Sequence, residues 1–97
     1  MKKPEKCADI KEIREAIDSI DNEIVELIAK RAKYVKEIVK FKKDKKAIKA
    51  PVRAREVINS KKELAVKYGV SSALIEKIYK DMIDFFINEE IKEWESE

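Results

Sequence analysis

Histidine is missing from this 97-residue sequence, and cysteine occurs once, at Cys7. That excludes Cys–His nucleophilic chemistry, a Cys/His zinc cluster and an internal disulfide. Neither a metal nor a cofactor is expected. Glycine occurs once and proline twice, so little turn chemistry interrupts a composition rich in Lys, Glu, Ile and Ala. An all-α fold follows. No apolar run approaches the roughly 18 residues that a membrane span needs, and the N-terminal stretch lacks the apolar core of a signal peptide. The expectation is a soluble cytoplasmic protein with no membrane partner.

Charge is plentiful but mixed. The 23 basic and 20 acidic residues leave a net charge of +3 and interleave along most of the chain, which is the pattern of solvated helices. A nucleic-acid binder concentrates its cations on one face or arm, so no nucleic-acid partner is expected. The densest basic run, Lys42-Lys43-Asp44-Lys45-Lys46, sits where the first helix should be ending and suits the negative end of a helix dipole. With 44% apolar residues the chain makes one domain, 1–97, with a core of limited size.

What the sequence does have is one long amphipathic stretch. From Ile10 to about Lys46 no Gly or Pro intervenes. Ile13, Ile17, Ile20, Ile24, Leu27 with Ile28, Tyr34 with Val35, Ile38 and Phe41 recur in the three-then-four rhythm of a helix. Asp9, with Glu12 three residues on, gives a capping-box-like start, while residues 1–8 should be loosely ordered. About 37 helical residues would span roughly 55 Å, about twice the ~30 Å of a small domain. The remaining chain supplies two shorter helices. One is predicted over 51–68, with Pro51 at its first position and Gly69 in its left-handed cap. The other is predicted over 72–95, capped by Ser71 or Ser72, with Val70 able to staple onto Ile75. These cannot cover a helix of about 10–46, so its far end is expected to bury its seam against a second copy in an obligate homodimer. Lys43 to Ala50 reads as a mobile basic connector.

The chemistry-bearing candidates interrupt the apolar stripes. Arg31 lies in the seam of helix 1, so it either points along the surface or neutralises something anionic in the interior. Lys42, 11 residues on, lies within about 20° of the same helix face and roughly 16 Å along it, so the two long side chains could grip a small dianion from both ends. Arg14 is some 25 Å from Arg31 along the axis and cannot share a site with it in one chain. In an antiparallel pairing of two copies, however, Arg14 of one comes opposite the Arg31 to Lys42 segment of the other, making two equivalent sites. Taken singly, each of these cations is also explained as a surface helix charge. Glu90 stands in a stripe of Ile83, Ile87, Ile91 and Trp94. It is either an edge carboxylate satisfied by a lysine or a desolvated carboxyl whose raised pKa lets it donate a hydrogen bond. Trp94 and the Phe85-Phe86 pair read as packing.

These residues also stand in a familiar spacing: Met-Lys-x-Pro-Glu-x-Cys over residues 1–7, Ile13-Arg14-Glu15-Ala16-Ile17-Asp18, Ile20-Asp21, Arg31, Tyr34-Val35-Lys36, Phe41-Lys42, Ala47-Ile48, Ala50-Pro51, Arg53, Gly69 and Glu89-x-Ile91-Lys92-x-Trp94. The chain resembles the all-helical chorismate mutase family, most closely its isochorismate-pyruvate lyase branch, the enzymes that make salicylate for siderophores. The likeness covers essentially the whole chain without gaps. It implies three helices per chain, one long and two shorter, in an intertwined homodimer with two active sites. It also implies that Arg14 of the partner chain and Arg31 each hold a carboxylate of a dicarboxylate substrate. Lys42 would contact a carboxylate and the ether oxygen of the enolpyruvyl bridge, with residues 43–50 closing over the site. The implied reactions are pericyclic. Chorismate rearranges to prephenate, or isochorismate passes a hydrogen to the enolpyruvyl carbon and splits into salicylate and pyruvate.

Two positions depart from the mutase pattern. Mutases of this family usually carry an acid pair in the segment opening helix 2, the glutamate recognising the ring hydroxyl of chorismate; the matching positions here are Ala50 and Ala54. That loss is shared with the lyase branch and favours isochorismate, although Glu56 lies nearby and a shifted helix could recruit it. At Glu90 the lyases and many mutases have a glutamine that donates to the ether oxygen, which a glutamate can replace only when protonated. The sequence therefore reads first as an isochorismate-pyruvate lyase with some chorismate mutase activity. The alternatives are a chorismate mutase of aromatic amino-acid biosynthesis and a non-catalytic dimeric helical module that binds chorismate-like acids.

Overall fold

A computed structural model of the chain describes residues 2–96. Helices account for nearly all of it, and among the described residues there is no strand. The four α-helices are α1 (Ile10–Ile38), α2 (Lys45–Lys49), α3 (Pro51–Tyr68) and α4 (Ser72–Glu95), with 3₁₀ turns at Pro4–Lys6 and Val39–Phe41. Three are long and α2 is a single turn. The chain divides into two compact units, Met1–Tyr34 and Val35–Glu97, the division falling inside α1.

The first unit consists of the N-terminal turn and most of α1. Asp9 caps the helix by accepting from the Glu12 N–H at 2.9 Å. Glu12 reaches back to the Ala8 N–H at 2.7 Å and pairs with the Lys2 ammonium at 3.1 Å. The segment expected to be loose is therefore tied to the start of α1, because an acid at the third helical position can satisfy a backbone donor just outside the helix. The seam of α1 is exposed along its length: Ile10, Ile13, Ile17, Ile20, Ile24, Leu27 and Ile28 all present much of their surface to solvent.

The second unit holds α2, α3 and α4, with α3 and α2 each packed on α4. Gly69, at φ 71°, takes the left-handed conformation that ends α3. Its N–H bonds to the Val66 carbonyl at 3.2 Å, and the Val70 N–H bonds to the Ala65 carbonyl at 2.9 Å, which together form a Schellman closure. Ser71 then caps α4, its hydroxyl accepting from the Leu74 N–H at 3.2 Å. Val70 and Ile75 line the same small hollow, together with Leu64, Ala65 and Tyr79. Across the hairpin, Lys62 pairs with Glu76 at 3.4 Å. Ile48 of α2 and Ala65 of α3 are the buried apolar residues among those described.

The first helix does not reach residue 46. α1 ends at Ile38, the chain tightens into the 3₁₀ turn, and Lys42 is extended at φ −91°, ψ 135°. The reason is Asp44. Its carboxylate accepts from the Ala47 N–H at 2.8 Å, which requires the extended backbone of an N-cap, φ −159° and ψ 176°, and so starts a new helix rather than continuing the old one. Pro51 lies just ahead and lacks an N–H, so α2 stops after one turn, at an Ala50 held in the left-handed region, φ 34°.

The clamp at the N-terminus is pH-dependent. The Ala8 N–H, and after it the Lys2 ammonium, hold the Glu12 carboxyl below the usual glutamate value. A carboxyl depressed in the folded state contributes stability above its unfolded pKa and loses it as pH falls through the folded one. The Ala8 amide is therefore expected to be protected from hydrogen exchange at neutral pH and released on acidification. Glu12→Gln should flatten that dependence, and an Ala8 protection factor, taken against the intrinsic exchange rate at each pH, that stays the same at every pH would refute the clamp.

Candidate active site

The four residues singled out for chemistry fall two in each unit. Arg14 and Arg31 are both on α1. Seventeen residues at 1.5 Å each put them about 25 Å apart along that helix, so one chain does not bring them together. Arg14 is exposed. Arg31 is half-buried, with its Nη1 out of solvent contact, whereas residues 21–30 before it are all exposed.

Lys42 and Glu90 belong to the second unit. Lys42 does not continue the face of α1 that carries Arg31, because the helix ends four residues earlier. It stands in the extended connector instead, half-buried, and its Nζ donates to the Ala47 carbonyl at 2.9 Å. Glu90 is on α4 and is 8% exposed, the one buried charged residue among those described. Carboxylates are seldom taken out of water without a partner or a function to hold them there. The connector runs at the end of α4 that carries Glu90: α2 packs on α4, and Lys45 pairs with Glu95, five residues beyond Glu90.

Ala50 and Ala54 frame the opening of α3. Ala50 is the left-handed junction itself. Ala54, half-buried, lines an open groove of about 560 Å³ between α3 and α4 together with Arg55, Lys80, Ile83, Ile87 and Ile91. Glu56 is exposed and two residues further on, about 200° round the helix from Ala54, so it faces elsewhere.

The family model for chorismate mutase type II matches residues 13–91, which spans both units and takes in Arg14, Arg31, Lys42 and Glu90. The chain belongs to that family. No curated protein matches it significantly. As a type II chorismate mutase family member the chain is an enzyme of the chorismate mutase kind, with a chorismate-type substrate. A reaction of that kind requires no nucleophile, which suits a chain without histidine. What its side chains must supply is a fixed reactive conformer and charge stabilisation at the breaking C–O bond.

Two features of this region escaped the reading of the sequence. They are the Asp44 cap and the Ala47 carbonyl that receives Lys42, which lie in a stretch whose lysines suggest only a mobile basic connector. The signal was present: an Asp three residues before Ala47, with an apolar residue following, is an N-cap pattern.

Proposed function

We propose that this member of the chorismate mutase type II family is an isochorismate-pyruvate lyase with some chorismate mutase activity. The observation that carries the choice of substrate is the pair Ala50 and Ala54. Neither offers a polar group to the ring hydroxyl of chorismate, and Glu56 points away from Ala54's face of α3. The second reading, a chorismate mutase of aromatic amino-acid biosynthesis, is favoured by the family model itself.

In the proposed mechanism, Arg31 and the partner chain's Arg14 each bind a substrate carboxylate and fix the enolpyruvyl arm over the ring. Lys42 binds a carboxylate and the ether oxygen, and Glu90, as the neutral acid, donates a second hydrogen bond to that oxygen. Charge growing on the oxygen as the C–O bond breaks is then met by two donors already in place. In isochorismate a ring hydrogen moves to the enolpyruvyl carbon in the same step, leaving salicylate and pyruvate. Neither product needs an external base.

The site is shared in this reading because the second copy covers α1. Seven large aliphatic side chains exposed on one helical stripe form the kind of contiguous apolar patch that marks an interaction surface. Two copies paired antiparallel bury it and bring Arg14 opposite the other chain's Arg31. The solution mass is expected to be twice the 11.3 kDa of the chain. Arg14→Ala and Arg31→Ala should each be inactive, yet a refolded equal mixture should regain about a quarter of wild-type turnover, since half the dimers then hold one intact site of two. A chain that sediments as a monomer, or a mixture as dead as its parents, would sink both the dimer and the shared site.

Side-by-side turnover decides the substrate. Isochorismate, followed by salicylate fluorescence, should give a higher kcat/KM than chorismate, followed by its ultraviolet absorbance. Preference for chorismate establishes the mutase reading instead.

The role of Glu90 sets the pH dependence. In this mechanism Glu90 acts as the neutral acid, because only that form donates. Activity should therefore fall as pH rises and Glu90 ionises, while Glu90→Gln, which always donates, should hold its activity across the same range. Superimposable pH profiles for the two proteins would remove Glu90 from the mechanism.

A further inference from the structure

The connector between α1 and α3 is built around one carbonyl that the helix cannot use. In an α-helix the Ala47 carbonyl would accept from the residue four places on, which here is Pro51, and proline has no N–H. The neighbouring backbone groups have their own partners. The Ala50 N–H goes to the Lys46 carbonyl at 3.1 Å, and the Ile48 N–H to the Asp44 carbonyl at 3.1 Å. The donor that takes the Ala47 carbonyl is the Lys42 ammonium, at 2.9 Å.

For that contact to form, the single turn of α2 must be wound, and five residues are too few to hold themselves in a helix. Two features hold it. Ile48, 2% exposed, anchors the turn on the side packed against α4. Asp44 caps it, accepting the Ala47 N–H at 2.8 Å, so the residue whose carbonyl meets Lys42 is the same one whose N–H is pinned by Asp44. The Lys45 pair with Glu95 is half-exposed on both sides and adds little.

We propose that Asp44 is a positioning residue for Lys42: by capping α2 it aims the Ala47 carbonyl at the Lys42 ammonium and sets that ammonium in place before substrate arrives. An ammonium has three donors. One is spent on Ala47, which fixes the direction of the other two and spares Lys42 part of the rotamer entropy that binding would otherwise cost. Asp44 acts here through its hydrogen-bonding oxygen and not through its charge, which the neighbouring Lys43, Lys45 and Lys46 outnumber.

The inference rests on the reading of Lys42 as a substrate contact, and its test separates the two. The full-length wild type, Asp44→Ala and Asp44→Asn are compared in steady-state turnover of isochorismate and chorismate. In the absence of substrate they are also compared by amide exchange at Ala47 and Ile48 and by the side-chain ¹⁵N signal of Lys42. Asp44→Ala is expected to lower kcat about fivefold, the equivalent of losing a typical N-cap, with faster exchange at Ala47 and a shifted Lys42 signal. Asp44→Asn, which still caps, should stay within about twofold of wild type. A merely structural role would lower the melting temperature of Asp44→Ala without changing kcat of the folded enzyme, and that result overturns the proposal. So does an Asp44→Asn as impaired as Asp44→Ala, since charge would then be what matters. Should the wild type turn over neither acid, it is the function that fails. The placing of Lys42 by Asp44 then holds if the ligand-free Lys42 signal moves in Asp44→Ala alone, and is overturned if it does not move.

Discussion

The chain commits 29 of its 97 residues to α1, and that helix carries an apolar seam for which the rest has too little material. Ile48, Ala65 and Glu90 are the buried residues among those described, so the single chain holds almost no core. Fully burying one aliphatic side chain is worth about 1.5–3 kcal/mol. Seven that stand roughly half exposed leave on the order of 5–10 kcal/mol unrealised, which is as much as the whole stability of a small domain. If α1 pairs with a second copy as proposed, that partner surface decides whether the fold is stable at all. In the proposed dimer, association and folding are one transition, and the site that needs Arg14 beside another chain's Arg31 exists only after it.

The second unit is organised by groups that are absent. Pro51 has no N–H to offer Ala47, and Gly69 has no Cβ to resist the left-handed cap. Between these two positions α3 is delimited by backbone chemistry alone, which is why its ends can be read from residue type. The end of α1 could not be read that way. Hydrophobic periodicity carries on through Phe41, and the lysines beyond it are compatible with either a helix end or a loop. What decides is the competition between continuing the helix and the local bond from the Asp44 side chain to the Ala47 N–H. A single acid in a run of lysines is easily counted as charge balance when its oxygen is in fact closing a turn. The order of the N-terminal segment is hidden for the same reason, since Glu12 looks like one more surface acid but reaches back to Ala8.

Legibility of the candidate site varied in the same way. Arg31 and Glu90 stood out because each breaks an apolar stripe, and the structure finds the first half-buried and the second buried. Arg14 breaks nothing. It is an exposed arginine on a helix rich in exposed charge, and only the pairing of two copies, or likeness to a family, gives it a role. Lys42 is expected on the face of α1 and stands instead in the extended connector beyond it, and that difference has a consequence. A lysine on a rigid helix face needs no further support, whereas a lysine in an extended connector must be held by something.

A family whose reaction is pericyclic has few ways to adjust its rate other than the placement of donors around one oxygen. In the proposed mechanism, a carboxyl in place of an amide at position 90 keeps the shape and makes one donor conditional on protonation. The other proposed donor, Lys42, stands on a connector, which would make it conditional on a capped turn. In a protein without histidine these two proposed donors would supply what a titrating imidazole often supplies elsewhere: a hydrogen bond whose strength depends on the state of the protein. On this view the buried carboxyl and the capped connector belong together. Each allows a helical frame with very little core of its own to present, at one oxygen, donors that are aimed before the substrate binds.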